Sequence, residues 1–268
     1  MLRRLSLFAA TALSLLSGPM SPAQAQELDS IDSVIKVAFL QGWRHTDGSH
    51  VAGLKVELAP GWKTYWRAPG DGGLPTLVSW AGSRNIADAN IVWPRPRVFR
   101  QMGMRSIGYD TQVVLPLRFV PETSGDIQAK LHLRMGVCKD VCLPVELKLA
   151  TTLARGAQQG VAQIKAALSD RPARVDAPLS CRLTRKDGEY VLEVSAEVPQ
   201  PLGRSEVAVI ELPDPTIWVS EPYFARNGDR ITAKSRVMTQ AKSSVIDLTR
   251  LRLTLLTTSD AIEMQHCR

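Results

Sequence analysis

Cysteine is the residue type in this chain whose spacing points most directly to chemistry, and there are four: Cys138, Cys142, Cys181 and Cys267. Four cysteines allow three pairings. Cys138 and Cys142 are close neighbours in Gly136-Val137-Cys138-Lys139-Asp140-Val141-Cys142-Leu143-Pro144, whereas Cys181 and Cys267 flank the last third of the chain. Pairing by proximity gives Cys138–Cys142 and Cys181–Cys267. A bridge closing about 87 residues removes enough unfolded-chain entropy to add about 4 to 5 kcal/mol, while one closing about five residues adds only about 2. Cys181–Cys267 is therefore expected to be a structural disulfide. The short pair stabilises less, and exposed or strained bridges are the labile ones that exchange with thiols through a mixed disulfide. Lys139 favours a neighbouring thiolate, Asp140 opposes it, and no histidine lies within the loop to act as a base. The same spacing also suits a plain hairpin staple.

Two other functions compete with thiol–disulfide exchange. Met102 and Met104 flank Gly103 just after Phe99, Met135 precedes the cysteine loop, and soft thioether and thiolate ligands suit Cu(I). A non-enzymatic binding or assembly module would use both bridges as structure, with Tyr65, Trp93 and Phe99 as anchors or core. Other chemistries find no pattern. His45, His50, His132 and His266 are not spaced as zinc ligands, the nucleophile-elbow Gly-x-Ser-x-Gly is missing, and the Gly70–Gly73 loop has no helix behind it to cradle a phosphate.

The start of the chain sets the expected compartment. Arg3 and Arg4 precede an apolar run from Leu5 to Leu16 and then Ala23-Gln24-Ala25, the small-x-small pattern of a cleaved signal peptide. The run falls short of the roughly 20 residues that cross a bilayer, so residues 1–25 are expected to be removed and the mature chain to stay out of the membrane. Cleavage takes two arginines and no acid, lowering the formal charge from +7 to +5. The remaining basic residues are scattered, which argues against a nucleic-acid partner.

Period-two alternation dominates the elements that must hold the cysteines. Ile127, Ala129, Leu131, Leu133 and Met135 alternate with polar residues up to the cysteine loop, the pattern of a strand with one buried face. Val113, Leu115, Leu117 and Phe119 repeat it, as do Val145, Leu147 and Leu149, with Pro and Gly clusters between the runs. Such spacing predicts a β-sandwich. Ala157–Leu168 is the one helical stretch, ended by Pro172. After Pro178, strands resume with an Asp187-Gly188 hairpin turn. The expected organisation is all-β: a signal peptide (1–25), a sandwich carrying the redox pair (26–155), a helical linker (156–173), and a second, smaller sandwich with a separate core and the structural disulfide (174–268).

Three stretches carry a family likeness: Pro60-Gly61-Trp62-Lys63-Thr64-Tyr65-Trp66-Arg67 with Pro69-Gly70-Asp71; Trp93-Pro94 through Phe99 to Tyr109 and on to Leu115-Pro116-Leu117; and Cys138 to Cys142 followed by Leu143-Pro144-Val145-Glu146. Together they resemble the amino-terminal periplasmic domain of the DsbD and ScsB thiol:disulfide interchange proteins, over about Val34 to Leu149 and not beyond. The resemblance implies an immunoglobulin-like sandwich acting as a periplasmic protein-disulfide reductase without metal or other cofactor. Cys138 and Cys142 would take electrons from a membrane-embedded thiol–disulfide donor and pass them to periplasmic thioredoxin-fold proteins. It also implies that Cys142 contacts partners while Cys138 resolves, that Phe99 caps the disulfide from a mobile Pro94–Met104 loop, and that Tyr65 sits beside it. Three residues separate the cysteines here, where DsbD itself has five.

Peptide mapping under non-reducing conditions should recover Cys138–Cys142 and Cys181–Cys267 as the linkages of the mature protein. A Cys142–Cys181 linkage would overturn both the pairing and the division into domains.

Overall fold

A computed structural model describes residues 30–101, 103–186, 189–199, 203, 205–214, 216–239 and 246–267. The expected leader, the Asp187-Gly188 turn and Met102 lie outside the described residues. Alternation decides the strands that matter most: Ile127, Ala129, Leu131, Leu133 and Met135 are all buried along β9 (Ile127–Cys138). This strand belongs to a sheet ordered β10 (Cys142–Leu153), β9, β3 (Lys63–Tyr65), β7 (Met104–Asp110), β6 (Arg97–Gln101), with β4 (Leu77–Ser79) also paired to β9. A four-stranded sheet faces it, ordered β1 (Ile35–Arg44), β2 (His50–Leu58), β8 (Gln112–Val120), β5 (Asp88–Ile91), and a short helix α1 (Ile31–Val34) leads into it. Leu54, Trp66, Ile107, Phe119 and Leu133 fill the space between the two sheets.

The second half repeats the layering. One sheet runs β11 (Ala173–Arg174), β19 (Ala261–Gln265), β18 (Arg252–Leu256), β14 (Val207–Glu211); the other runs β12 (Ser180–Lys186), β13 (Glu189–Glu197), β17 (Arg230–Thr239), β15 (Ile217–Val219), with β16 (Tyr223–Asn227) also on β17. Leu192, Val194, Ile231, Leu253 and Met264 form its core. Cys181 on β12 is bonded to Cys267 just beyond β19, so the bridge ties one sheet to the other across 86 residues.

Two expectations are corrected. Helix α2 spans Val161–Ser169, starting four residues later than its apolar pattern suggests, because Gly160 takes a left-handed conformation (φ 76°) that breaks the backbone there. Nor is α2 a free linker. Ile164 is buried among Leu40, Val51 and Val114 on the outer face of the four-stranded sheet β1-β2-β8-β5, which explains why β8 buries Val114 as well as Val113 and Leu115. Gly53 makes the close approach possible, since a Cβ there would lie 2.8 Å from Ile164 Cγ1.

Each sandwich has its own core, and strands of the second also contribute to the first. Along β14, Ala208 and Ile210 point into the second core, while Val209 joins the first core and Glu211 reaches Arg67. Along β19, Ile262 and Met264 point inward, while Ala261 joins the first core and Glu263 also meets Arg67. The β11-β19-β18-β14 sheet thus has its two faces buried, one against each core. Among the described residues, no helix is long and apolar enough to cross a membrane.

Replacing Cys181 and Cys267 together by Ala should lower the stability of the second sandwich by about 4 kcal/mol. Guanidinium unfolding of the oxidised parent and the variant measures this, and an unchanged midpoint would show that the bridge carries no structural role.

Candidate functional site

Register places the short cysteine pair. In the β9–β10 hairpin Cys138 lies directly opposite Cys142, and on its other side Cys138 lies opposite Lys63 of β3. Residues directly opposite in antiparallel strands project to the same face. The core-facing set of β9 continues from Met135 to Val137, so Gly136 and Cys138 fall on the face away from the core. Following the register across β3, β7 and β6 puts Lys63, Tyr65, Ser106, Gly108, Arg97, Phe99 and Gln101 on that same outer face. The sulfurs are bonded in the structure. Cys138 is only 4% exposed, whereas Cys142 is exposed at the loop end.

Tyr65 is brought to the pair by what its neighbours lack. Gly136 and Gly108 flank it on the adjacent strands, and a Cβ on Gly136 would come within 3.1 Å of the Tyr65 ring. The Tyr65 hydroxyl donates to the Gly72 carbonyl at 3.4 Å and lies 3.8 Å from Cys142 Sγ. Burial raises its pKa above the ordinary phenol value, so near neutral pH it remains a protonated donor facing the exposed sulfur. Thr64 secures the strand by donating its hydroxyl to the Gly136 carbonyl at 3.0 Å.

Phe99 is on an edge strand rather than in a strand-poor loop: Arg97–Gln101 pairs with Met104–Asp110 as a hairpin. The Pro and Arg content of this stretch hid the pairing, which backbone hydrogen bonds to β7 supply. Lys63 Nζ sits 5.1 Å from the centre of the Phe99 ring, and the Arg97 guanidinium carbon 5.8 Å. Two residues on, Gln101 donates its amide to the Lys139 carbonyl at 3.4 Å and accepts from Lys63 Nζ at 3.0 Å. The hairpin is therefore hydrogen-bonded to the cysteine loop itself. Lys63, Gln101 and Gly136 are site residues that spacing did not single out, although Lys63 and Gln101 lie within the stretches that carry the resemblance. The sulfur cluster of the copper alternative does not form as expected, because Met135 is buried in the core on the opposite face of β9 from Cys138. Of the histidines, His132 Nε2 lies 2.6 Å from Glu146 Oε1, and His50 is buried with Nε2 2.7 Å from the Gln41 carbonyl.

The motif that carries Lys63 and Tyr65 ends in Arg67, which turns to the second sandwich. Its guanidinium donates to Glu211 at 2.7 and 2.9 Å and also pairs with Glu263, while stacking 4.2 Å from the centre of the Trp66 ring. Burial alone would lower the Arg67 pKa, but hydrogen bonds and charge from Glu211, together with Glu263, outweigh it and hold the group above its ordinary value.

The arrangement is a β-sandwich that carries a cross-strand cysteine pair, one cysteine buried and the other exposed. Residues 35–154, in the first sandwich, match the family described as "Thiol:disulfide interchange protein DsbD, N-terminal". Among solved structures, the chain is similar to the N-terminal periplasmic domain of ScsB from Proteus mirabilis, with 22% identity and a TM-score of 0.67, covering 89% of this chain and 95% of that one. At that identity the likeness concerns the fold, and its coverage extends past Leu149 through the second sandwich. No curated protein matches the chain.

Alkaline spectrophotometric titration should show Tyr65 ionising late, so that Tyr65→Phe removes a phenolate step lying above 10. The unfolded phenol ionises first, so folding binds the proton more tightly and this contribution to stability is lost as pH rises past about 10. A step removed at the ordinary phenol value would contradict the burial.

Proposed function

We propose that this protein is a periplasmic protein-disulfide reductase that relays electrons through Cys138 and Cys142. The observation that carries this is the asymmetry of the pair: a buried and an exposed sulfur lie directly across one hairpin, so a partner reaches Cys142 alone. The family match over the first sandwich supports the chemistry.

In the first half-reaction, a thiolate of the donor attacks Cys142 Sγ. The Cys138–Cys142 bond breaks and Cys138 leaves as a thiolate. The donor's second thiolate then attacks the mixed disulfide, so the donor leaves oxidised and Cys142 is released. In the second half-reaction, the Cys142 thiolate attacks an acceptor disulfide and expels one acceptor thiolate. Cys138 then attacks Cys142 Sγ, restoring the internal bond and releasing the acceptor's second thiolate, with protons taken from solvent. Two electrons move and no metal or cofactor takes part. Tyr65 supports each step at Cys142 as a neutral donor, because hydrogen bonding to a thiolate favours it.

The donor in this scheme is a membrane-embedded thiol–disulfide protein, and the acceptors are thioredoxin-fold proteins of the periplasm, reached after removal of residues 1–25. Two immunoglobulin-like domains, 26–155 and 174–268, divide the work around the connector 156–173. Cys181–Cys267 is structural, and Phe99 covers the sulfurs between encounters.

The experiment uses a thioredoxin-fold probe that retains only its attacking cysteine, activated as a mixed disulfide with thionitrobenzoate. Reduced Cys138→Ala should release thionitrobenzoate roughly tenfold faster than Cys142→Ala and remain joined to the probe, because accessibility and thiolate character govern attack. Equal rates, or faster release by Cys142→Ala, would overturn the assignment of roles.

A further inference from the structure

Three elements lead to side chains beside the disulfide: the hairpin that carries Phe99, strand β7, and the Pro69–Gly73 loop, whose Gly72 carbonyl meets Tyr65. All three converge on one residue of the second sandwich. The Glu221 carboxylate accepts from Arg100 at 3.0 Å and pairs with Arg105 at 3.5 Å. Arg100 adjoins Phe99 on the hairpin, and Arg105 lies on β7. The Glu221 backbone N–H donates to both carboxylate oxygens of Asp71, at 3.2 and 3.3 Å.

Each tether leads back toward the sulfurs. Asp71 belongs to the loop whose Gly72 carbonyl accepts from the Tyr65 hydroxyl, and that loop is held on β7 by Gly72 N–H to Arg105 carbonyl and Ile107 N–H to Pro69 carbonyl bonds, at 3.0 and 2.8 Å. The loop can lie this close because residue 70 lacks a side chain: a Cβ on Gly70 would stand 2.7 Å from the Arg105 carbonyl oxygen. Arg105 is 4% exposed and its guanidinium also donates to the Ala208 carbonyl of β14 at 3.2 Å. Burial lowers its pKa, with the charge of Glu221 acting in the opposite direction. Removing the Glu221 carboxylate would leave this enclosed cation with the charge of Asp71 but without its ion-pair partner, and would break the Arg100–Glu221 pair.

We propose that Glu221 is a positioning residue for the redox pair, by which the second sandwich pins the Phe99 hairpin and the Tyr65 loop over Cys138–Cys142. This rests on Cys138–Cys142 being the exchanging pair covered by Phe99. It gives the second sandwich a function beyond support: it sets how readily the cover opens. An exposed ion pair is weakened by salt, and Arg100 is well exposed while Glu221 is partly so. Reduction of the disulfide by a small thiol should therefore quicken with ionic strength in the parent protein.

The test measures dithiothreitol reduction of the full mature chain, with alkylation and mass mapping of the Cys138–Cys142 peptide at low and high salt. Glu221→Gln should speed reduction about threefold or more, because loosening a local contact raises the open population, and should abolish the salt response. Arg100→Gln cuts the hairpin arm from a solvent-exposed position and should reproduce the faster rate with an unchanged thermal midpoint, which separates opening of the cover from unfolding. In a Phe99→Ala background, already faster than the parent, Glu221→Gln should add little further. Unchanged rates in both Glu221→Gln and Arg100→Gln, or a full additional speed-up in the Phe99→Ala background, would overturn the inference. Neither result depends on the thionitrobenzoate assay, so the positioning role and the exchange function fail separately.

Discussion

The register of β9 is the constraint on which the rest depends. Its apolar residues recur every second position from Ile127 to Val137 and are all buried. A slip by one residue would turn every one of them to the opposite face, so the register is fixed by burial energy rather than by the cysteines. Once it is fixed, Cys138 must face away from the core, Cys142 must lie across from it, and Gly136 must leave a gap on the same outer face. Leu74 and Tyr65 fill that gap. The geometry of the pair is thus a by-product of how the first core packs, and the two cysteines are placed across one hairpin without a dedicated scaffold.

A second constraint joins the two halves. Arg67 is largely enclosed between two carboxylates of the second sandwich. Removing either the cation or both anions would leave charge in a poorly solvated seam, and breaking a buried pair costs far more than forming it contributes. The network is therefore a specificity device more than a source of stability: it permits one docking of the sheet β11-β19-β18-β14 on the first sandwich. Apolar contacts from Val209, Leu256 and Ala261 fill the same seam. That docking brings Glu221 to Arg100 and Arg105, on the face of the sheet opposite Phe99, and this is the contact through which the proposed coupling between the charged seam and the cysteine pair would run.

The site is built from ordinary parts. Cys138 is enclosed and Cys142 exposed. The side chain that meets Cys142 Sγ is the neutral Tyr65 hydroxyl, 3.8 Å away. The cations Lys63 and Arg97 lie over the Phe99 ring, an arrangement in which an aromatic face and a positive charge attract and the ring is held near the loop without being locked into the core.

The sequence by itself determined the all-β class, the main strands and the positions of the two cysteine pairs on them, because period-two burial and chain proximity are local properties. Its helix was displaced toward the chain start, since one left-handed glycine at 160 ended the pattern that apolar spacing alone would extend. Phe99 was placed in a loop because edge-strand pairing depends on a partner strand rather than on its own composition. Tertiary structure alone decided that Met135 turns away from the cysteines, that α2 packs on the four-stranded sheet of the first sandwich, and that Arg67 and Glu221 meet partners more than a hundred residues away. Those contacts join side chains whose neighbours in sequence carry no sign of them, and only the packing of one sandwich on the other brings their charges within reach.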